Sequence, residues 1–372
     1  MTRVMYGSGD ALVRMGHKVD YIYGPTFGHV SPTKLRRFVI PARAATLAVR
    51  LHRAGGNYDI VELHEPTAAA YITLRKWDRS LPPCVVLSFG IEARGHHAKL
   101  DYRHKMGLPV SIKERLSPWT VLAQTIYSLR NADHIICFSR DDCEYLLSHG
   151  RRSRDVTQTR SGVDLILLQA GIHQVRNRSA SLDILFLGTW IERKGILDLI
   201  GLVQMLFARF SSATLTIAGC GCPADAILPQ FPDGYRSRIR VIPHISSNEQ
   251  LASIYQNHQI FVLPSYFEGQ PLAMLEAAAF GLAIVTTDTC GMRDFISDGE
   301  SGLLVPVGQP RALFFALERL ASDPVFASKL GSSAQLKVQQ YGWDKVAGDF
   351  ESAYESARRH CGASRWRLSG RC

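Results

Sequence analysis

The sequence predicts an α/β protein made of two doubly wound parallel sheets that face each other across a cleft. Short apolar segments with the composition of buried strands alternate with longer segments that have the apolar period of helices. This alternation pauses between residues 150 and 179, where Arg, Ser and Gln are frequent, and then resumes. Because 372 residues are enough for two domains, we interpret each run as one domain.

The first run opens with a helix and not with a strand. Residues 10–16 have the pattern of a helix end that Gly16 closes, and residues 17–23 follow as a strand. Residues 1–9 are too few for a strand before that helix, so the first sheet is expected to lack its N-terminal strand. Three further strands are predicted at DIVELH, PPCVVLSFG and ADHIICFS, with helices over 44–54 and 116–129.

The second run predicts six strands and four helices. The strands are LDILFLG, ATLTIAG, RIRVIP, QIFVLP, AIVTTD and GLLVPV, and the helices cover 196–207, 248–256, 271–280 and 311–321. A last helix near 343–359 belongs to neither run. We therefore predict an N-terminal domain over 1–165, a second domain over 166–342 and a tail over 361–372.

Composition excludes several classes of protein. The longest apolar stretch, Ala277 to Val285, is about half of what a membrane-spanning helix needs. The N-terminal residues are too polar for the apolar core of a signal peptide, so we expect a cytoplasmic protein. The eight cysteines are scattered and form no CxxC pair, which predicts reduced thiols and no metal site.

A formal net charge of +10 favours anionic partners. Basic clusters occur at Arg36-Arg37, at Arg151-Arg152 with Arg154, and at Arg358-Arg359. No aromatic residues are interleaved with them, as a groove for single-stranded nucleic acid would require, so no nucleic-acid partner is predicted. We interpret the clusters as solvated helix ends and loops, and we expect at most peripheral contact with the anionic inner face of a membrane.

Candidate binding residues follow the strands of the second run, because ligands of open parallel sheets sit where strands end and helices begin. The first such turn, GTWIERKG, runs from Gly188 to Gly195. Arg193 and Lys194 precede a helix start, and two cations there oppose the positive end of the helix dipole unless an anion binds between them. We predict a clamp for a diphosphate; the alternative is an exposed basic turn.

The second turn, YFEGQPLAMLEA, carries two carboxylates. Glu268 lies on the turn, and Glu276 lies inside an otherwise apolar helix that begins at Pro271. Ionised carboxylates only accept hydrogen bonds, so both suit the hydroxyl groups of a sugar or a ribose. The backbone amides from Gly269 to Leu272 are candidates for holding phosphate oxygens. The alternative for Glu268 is helix capping, whereas a buried Glu276 needs a partner.

A third turn, LTIAGCGCP, follows a strand that ends at Gly219. Its G-x-G lacks the third glycine of a dinucleotide fingerprint, and Pro223 follows it. We interpret it as a tight turn beside a nucleotide and not as a dehydrogenase loop.

The segment from Ile260 to Val307 resembles the retaining, nucleotide-sugar-dependent glycosyltransferases of family 4, which have the GT-B architecture of two Rossmann-like domains. The match includes the paired glutamates with seven residues between them, the stretch EAAAFGLAIV and the turn DGESGLLV. GTWIERKG, LTIAGCG and RSGVD lie upstream in the expected order.

The resemblance implies a role for each of the candidates. Arg193 and Lys194 would bind the donor diphosphate and stabilise the leaving nucleotide, Glu268 would face the transferred sugar, and these three are the catalytic candidates. Glu276 would contact the ribose hydroxyls. The other donor-binding candidates are Gly188, Gly219, Gly269, Gln270, Pro271 and Leu272.

The resemblance also implies that the reaction needs no metal or other cofactor, because cationic side chains and helix dipoles do that work on the diphosphate. The donor would be linked to UDP or GDP. The helix over residues 343–360 would pack back on the N-terminal domain.

The first domain departs from the family pattern at two places. Besides the missing first strand, Phe89 stands where many members carry a histidine near the sugar, and a phenylalanine ring cannot bond a hydroxyl or exchange a proton. His64, Glu92 and Arg94 are the acceptor-side candidates. A surface salt bridge is the alternative for Glu92 and Arg94.

The sequence therefore predicts transfer of a sugar from a nucleoside-diphosphate sugar to a glycan or lipid-linked acceptor, with retention at the anomeric carbon. Two alternatives stay open. One is a nucleotide-sugar epimerase of the same architecture. The other is a non-catalytic or N-terminally truncated relative that binds a nucleotide sugar or a partner enzyme, which the missing strand and Phe89 would favour.

Overall fold

The structure is a computed structural model, and it describes residues 2–22, 36–116, 119, 121–172 and 182–360. The predicted tail over 361–372 lies outside the described residues. The chain divides into two compact units. The N-terminal unit combines Met1–Arg160 with Val346–Cys372, and the C-terminal unit is the continuous stretch Ser161–Lys345.

The elements of the described residues follow one another in the order that an α/β protein requires. The strands are β1 Val61–His64, β2 Cys84–Ser88, β3 His134–Cys137, β4 Val156–Gln158, β5 Asp183–Leu187, β6 Thr214–Ala218, β7 Ile239–Ile242, β8 Ile260–Leu263, β9 Ala283–Thr287 and β10 Leu303–Val305. The α-helices are α1 Thr2–Arg14, α2 Arg36–Leu51, α3 Ala68–Trp77, α4 Glu92–Lys105, α5 Ile112–Leu116, α6 Val121–Asn131, α7 Arg140–Ser148, α8 Leu165–Ile172, α9 Ile196–Arg209, α10 Ala224–Ile227, α11 Asn248–Gln256, α12 Leu272–Ala279, α13 Cys290–Phe295, α14 Pro310–Ser322, α15 Pro324–Val338 and α16 Trp343–His360.

The N-terminal unit contains a parallel sheet with the strand order β1-β2-β3-β4. Every residue of β2 and β3 is buried, which explains their continuous apolar sequences. Helix α7 begins where the Ser139 side chain accepts a hydrogen bond from the Asp142 amide, and two aspartates in its first turn favour the helix dipole. A helix follows each of the strands β1, β2 and β3 after a short turn, namely α3, α4 and α7.

Helix α16 packs on the N-terminal unit through polar contacts in its middle and near its C-terminal end. The Tyr354 hydroxyl donates to Glu62 Oε2 at 2.6 Å, and the Thr159 hydroxyl donates to Asp349 Oδ2 at 2.6 Å. Near the C-terminal end of the helix, Arg358 Nη2 lies 3.0 Å from Asp59 Oδ1. Helix α16 thus fastens the end of the chain to the segment around β1.

The C-terminal unit contains a six-stranded parallel sheet with the order β10-β9-β8-β5-β6-β7. The chain runs outward from β5 through β6 and β7, then returns and runs outward on the other side through β8, β9 and β10. The order reverses between β5 and β8, whose Ile184 and Ile260 are paired. Ligands of doubly wound sheets bind at the carboxyl ends of the two strands at such a reversal.

Most of the predicted elements of the second run are confirmed. Each of the six strands lies inside its predicted segment, and α9, α11, α12 and α14 lie where helices are predicted. Helices α8, α10, α13 and α15 are not predicted. The shortest of them, α10 and α13, have only four and six residues, which is too short to show a helical period.

The prediction of a strand over 17–23 is wrong for residues 17–22, which have no regular structure, and residue 23 lies outside the described part. The segment instead packs on α1. Tyr21 donates its hydroxyl proton to Asp10 Oδ1 at 2.9 Å, and its ring lies 4.9 Å from that of Tyr6. A strand needs a neighbouring strand, and β1 pairs only with β2 among the described residues.

The prediction that residues 150–179 form an irregular connection is wrong in part. Strand β4 and helix α8 lie within this stretch. The three residues of β4 are too few to reveal an alternating pattern, and their pairing with β3 is a tertiary effect. No helix in the described residues is long and apolar enough to span a bilayer.

Candidate functional site

The turns that follow β5 and β8 form the candidate site of the C-terminal unit. Arg193 and Lys194 lie in a short 3-10 turn after β5, and Gly195, directly before α9, has a left-handed φ of 74°. A Cβ atom at Gly195 would lie 1.9 Å from the Pro264 carbonyl oxygen, which no side chain tolerates. The two turns therefore lie backbone against backbone, and this position requires glycine.

Hydrogen bonds join the same two turns. The Tyr266 amide donates to the Arg193 carbonyl at 2.9 Å, and Arg193 Nη1 donates to the Phe267 carbonyl at 2.8 Å. These bonds place the guanidinium of Arg193 beside the turn that carries Glu268.

Glu268 binds both predicted cations through one oxygen. Its Oε1 lies 2.7 Å from Lys194 Nζ and 3.2 Å from Arg193 Nη1, and its side chain is only 9% exposed. Burial raises the pKa of Glu268, but Lys194 and Arg193 outweigh burial and hold the pKa below its ordinary value. The carboxylate is therefore ionised, and the group of three carries one net positive charge.

This arrangement brings the three catalytic candidates together as one ion-paired group. The prediction of two cations that wait for an anion did not include Glu268 as their partner. Glu268 is not a helix cap, because it directs its carboxylate at Lys194 and Arg193. Lys194 is 14% exposed and Arg193 is 36% exposed, so both present part of their surface to solvent. An anion that approaches them meets cations whose positions are already fixed.

The glycine turns after β5 and β6 run side by side. The Gly188 amide donates to the Ala218 carbonyl at 3.0 Å, and the Trp190 amide donates to the Cys220 carbonyl at 2.9 Å. Gly219 follows with a left-handed φ of 62°. Gly188 also lies near the catalytic candidates, since a Cβ atom there would be 3.6 Å from Lys194 Cε.

The turn over residues 269–272 is mostly buried, yet it contains backbone donors that no carbonyl of the described residues uses. In the described part of the chain, the amides of Gly269, Gln270 and Leu272 make no backbone hydrogen bond. Leu272 is the first residue of α12, so these amides add to the positive end of the helix dipole. Pro271 directly precedes the helix and has no amide proton to offer.

Gln270 has a structural task that the sequence does not reveal. Its buried side-chain oxygen accepts a hydrogen bond from the Ser161 amide at 2.6 Å, and its carbonyl accepts one from the Ser161 hydroxyl at 3.3 Å. The motif RSGVD is thereby held to the turn that carries Glu268. Gln270 contributes to the site by positioning the backbone.

Gly291 is a site residue that sequence reasoning missed. A Cβ atom there would lie 1.5 Å from the Gly269 carbonyl oxygen, and the Gly291 amide donates to the Glu268 carbonyl at 3.4 Å. The start of α13 therefore lies directly on the Glu268 turn. A glycine two residues into a six-residue helix is the only signal in the sequence.

Glu276 is almost fully buried, and Tyr255 of α11 is one of its partners. The Tyr255 hydroxyl donates to Glu276 Oε2 at 2.8 Å, and its ring stacks on Phe280 with centroids 5.4 Å apart. The expectation that a buried Glu276 needs a partner is confirmed. Contact between Glu276 and a ribose stays a prediction.

The acceptor-side candidates of the N-terminal unit lie at the carboxyl ends of β1 and β2. Arg94 binds Asp142 Oδ1 at 2.6 Å and Asp141 Oδ2 at 3.4 Å, so its charge is compensated in the first turn of α7. The salt bridge that was the alternative for Arg94 is therefore present. Glu92 is the first residue of α4 and is exposed.

His64 is enclosed by aromatic rings. It stacks on Phe89 with centroids 4.8 Å apart, and Phe89 stacks on Phe138 at 5.1 Å. Burial lowers the pKa of His64 to about 4, so the ring is neutral near pH 7. Its Nδ1 atom is buried without a hydrogen-bond partner among the described residues.

Glu65, which directly follows the candidate His64, is a strongly perturbed carboxyl group at this edge. Burial raises the pKa of Glu65 to about 8. Its Oε2 lies 3.5 Å from the Glu92 amide, and its buried Oε1 has no hydrogen-bond partner within the described ranges. The sequence signal for this position is a pair of polar residues, His64 at the end of β1 and Glu65 directly after it.

Two family models match the chain. One, described as Glycosyl transferases group 1, matches residues 181–323, and the other, Glycosyltransferase Family 4, matches residues 1–166. A D-inositol 3-phosphate glycosyltransferase of Streptomyces bingchenggensis is 35% identical over 126 residues, which cover 34% of this chain and 28% of that protein. A glycogen synthase of Mycobacterium tuberculosis is 27% identical over 234 residues, which cover 62% of this chain and 56% of that protein.

Solved structures share the fold across almost the whole chain. Sucrose-phosphate synthase from Thermosynechococcus elongatus has a TM-score of 0.73 at 19% identity, with 95% of this chain and 92% of that chain covered. Anabaena HepE in complex with UDP-glucose has a TM-score of 0.65 at 14% identity, with 84% and 82% covered. With two parallel α/β units of GT-B type and with both family models matched, the chain belongs to the group 1, family 4 glycosyltransferases.

Proposed function

We propose that this protein transfers a sugar from a nucleoside-diphosphate sugar to a hydroxyl group of an acceptor. The observation that carries the proposal is the ion-paired group of Arg193, Lys194 and Glu268 at the reversal point of the six-stranded sheet. This group keeps one positive charge next to the backbone amides of residues 269–272. A positive charge beside free backbone amides suits a diphosphate as the ligand.

The chemical step that this geometry supports is departure of the nucleoside diphosphate. As the bond between the anomeric carbon and the phosphate oxygen breaks, negative charge grows on the diphosphate. Lys194 and Arg193 stabilise that charge, and they need little reorganisation because Glu268 already holds them in position. We propose that these side chains and the helix dipole replace a metal ion, so that chelators leave the rate unchanged.

We propose that Glu276 accepts hydrogen bonds from ribose hydroxyls, with Tyr255 fixing its carboxylate. The donor nucleotide is proposed to be UDP or GDP. Two structures with the same fold contain nucleotides, UDP-glucose in HepE and ADP in a plant starch synthase, which supports a nucleoside diphosphate in general. The base and the sugar are to be found by assay.

The acceptor is proposed to bind at the carboxyl edge of the N-terminal sheet, where His64, Glu65 and Glu92 lie. A neutral His64 and a largely protonated Glu65 suit the hydroxyls of a glycan or lipid-linked acceptor. Retention is proposed to follow a front-face path, since Glu268 is already bound to two cations and is a poor nucleophile. The expected location is cytoplasmic, with peripheral contact to the inner membrane face.

The test is an assay of Lys194→Ala with a panel of UDP-, GDP- and ADP-sugars and candidate acceptors. Loss of a charge-assisted contact to the leaving group is expected to lower kcat by about a hundredfold or more. Lys329→Ala, an exposed lysine on α15, is the matched control and is expected to keep full activity. Equal rates for Lys194→Ala and the wild type would overturn the assignment.

The same panel separates the alternative functions. An epimerised nucleotide sugar that forms without acceptor would identify an epimerase. Donor binding by calorimetry with neither transfer nor hydrolysis would identify a non-catalytic protein, for which Phe89 between His64 and Phe138 is the structural argument.

A further inference from the structure

A cavity of about 420 Å³ lies at the amino end of the N-terminal sheet, where the segments enter β2, β3 and β4. The candidate acceptor residues lie at the carboxyl end of the same sheet. The charged residues that line the cavity are Arg75, Arg79, Arg151, Arg152, Asp133 and Asp155. The lining includes Arg151 and Arg152 of the basic cluster, and these residues have no role in the proposed function.

Both aspartates of the lining already have an arginine partner. Asp133 Oδ2 lies 3.2 Å from Arg75 Nε and accepts a hydrogen bond from the Cys84 amide at 2.8 Å. Asp155 binds Arg152 Nε at 2.9 Å. The lining therefore holds two more cations than anions. Arg79 and Arg151 form no salt bridge within the described residues, and Asp155 and Asp133 act on Arg151 only from a distance.

Arg151 is held in place by neutral groups. Its Nη1 donates to the Arg130 carbonyl at 3.1 Å and its Nη2 donates to the Ala132 carbonyl at 3.0 Å, at the end of α6. Its Nε is buried and has no hydrogen-bond partner in the described ranges. Burial lowers the pKa of Arg151, yet an arginine keeps its proton at neutral pH. Each of the two terminal nitrogens also has a second N–H, so this fixed cation keeps hydrogen-bonding capacity beyond the two carbonyls.

We propose that this cavity binds a phosphate group, as a site separate from the donor site. A phosphate monoester carries close to two negative charges at pH 7, which matches the excess charge of the lining. The planar guanidinium groups of Arg75, Arg79 and Arg151 suit its oxygens in geometry and in number of donors. No aromatic residue lines the cavity, which argues against stacked bases and hence against a nucleic acid.

The test is calorimetric titration of the full-length protein with inorganic phosphate at constant ionic strength. Arg79→Gln is the decisive variant, because Arg79 is exposed and forms no hydrogen bond or salt bridge in the part of the chain that the structure describes. We expect affinity at this site to fall about tenfold in Arg79→Gln and further in Arg79→Gln/Arg151→Gln. Arg359→Gln removes an exposed arginine of the same unit and is expected to bind phosphate as the wild type does.

Phosphate also has access to the donor site, so Lys194→Ala is titrated in parallel. A component that survives in Lys194→Ala and disappears in Arg79→Gln belongs to the cavity. Phosphate binding that is the same in Arg79→Gln, in the double variant and in the wild type overturns the proposal. Because Arg151 supports the end of α6, the single variant decides the matter if the double variant does not fold.

Cosedimentation with vesicles distinguishes the sources of the phosphate group. Binding to phosphatidic acid vesicles that Arg79→Gln abolishes, with no binding to phosphatidylcholine, identifies a lipid headgroup. Phosphate binding without vesicle binding identifies a soluble phosphate ester. Either result supports the site, and absence of both overturns it.

Discussion

At the residue scale, the central finding is that Glu268 binds both cations that a diphosphate would meet. The sequence predicts Arg193, Lys194 and Glu268 as separate candidates, because each lies on a turn after a strand. It cannot predict that one carboxylate oxygen binds the two cations, since this depends on two turns more than seventy residues apart in the chain being in contact.

Replacing Glu268 with Gln is expected to destabilise the protein. Arg193 and Lys194 then lose the anion that they share, which is expected to lower the free energy of unfolding by about 2 kcal/mol. The loss is smaller than for a fully buried pair because Arg193 is 36% exposed. Urea unfolding at pH 7 measures the effect. Glu318→Gln, which breaks the exposed pair with Arg209, is expected to cost about 0.5 kcal/mol or less.

The pH dependence of this difference follows from the lowered pKa of Glu268. The stabilisation is complete above the ordinary carboxyl pKa of 4.5 and is lost as pH falls through the lowered value in the folded state. The unfolding curves of the wild type and Glu268→Gln should therefore converge in acid. A gap that stays constant down to low pH would contradict the ion-pair assignment.

Glu65 has the opposite pH dependence. Its pKa is raised to about 8 in the fold, so its contribution to stability is present below about pH 4.5 and is lost as pH rises to about 8. We expect the stability of the wild type to fall relative to Glu65→Gln between pH 5 and 8. Urea midpoints across this range measure the difference, with the exposed Glu144→Gln as control.

At the scale of elements, the positions of strands in the C-terminal unit could be predicted because most of their residues are apolar and buried. The same reasoning fails for the segment over 17–22 and for strand β4. Residues 17–22 have strand-like composition but pack on α1, and the three residues of β4 form a strand only through pairing with β3. Pairing is a tertiary property that composition does not contain.

Helix α13 and the Glu268 turn depend on each other through Gly291. Gly291→Ala places a methyl group 1.5 Å from the Gly269 carbonyl oxygen, so the turn has to move. We expect a loss of about 2 kcal/mol or more in urea unfolding, together with weaker donor binding.

Gly348 in α16 is the matched control for this substitution. A Cβ atom there meets nothing within 4 Å, so Gly348→Ala is expected to stabilise the helix by about 0.5–1 kcal/mol. Similar losses in both variants would show that contact with the Glu268 turn is not the cause.

At the scale of the whole molecule, the two units are expected to respond differently to a nucleoside diphosphate. UDP or GDP should slow amide hydrogen exchange in the segments over 188–195 and 265–276, which carry the donor-binding candidates. Exchange-mass spectrometry measures this directly. Protection confined to the segments over 61–66 and 88–95 would place the nucleotide in the N-terminal unit and contradict the donor assignment.

The packing of α16 on the N-terminal unit has a consequence for synthesis on the ribosome. The C-terminal unit is one uninterrupted stretch, and all of it is translated before Tyr354 and Arg358, the partners of Glu62 and Asp59. We expect the unit that is encoded second to reach its native state first. The N-terminal unit then completes its folding only when Tyr354 and Arg358 have left the ribosomal exit tunnel.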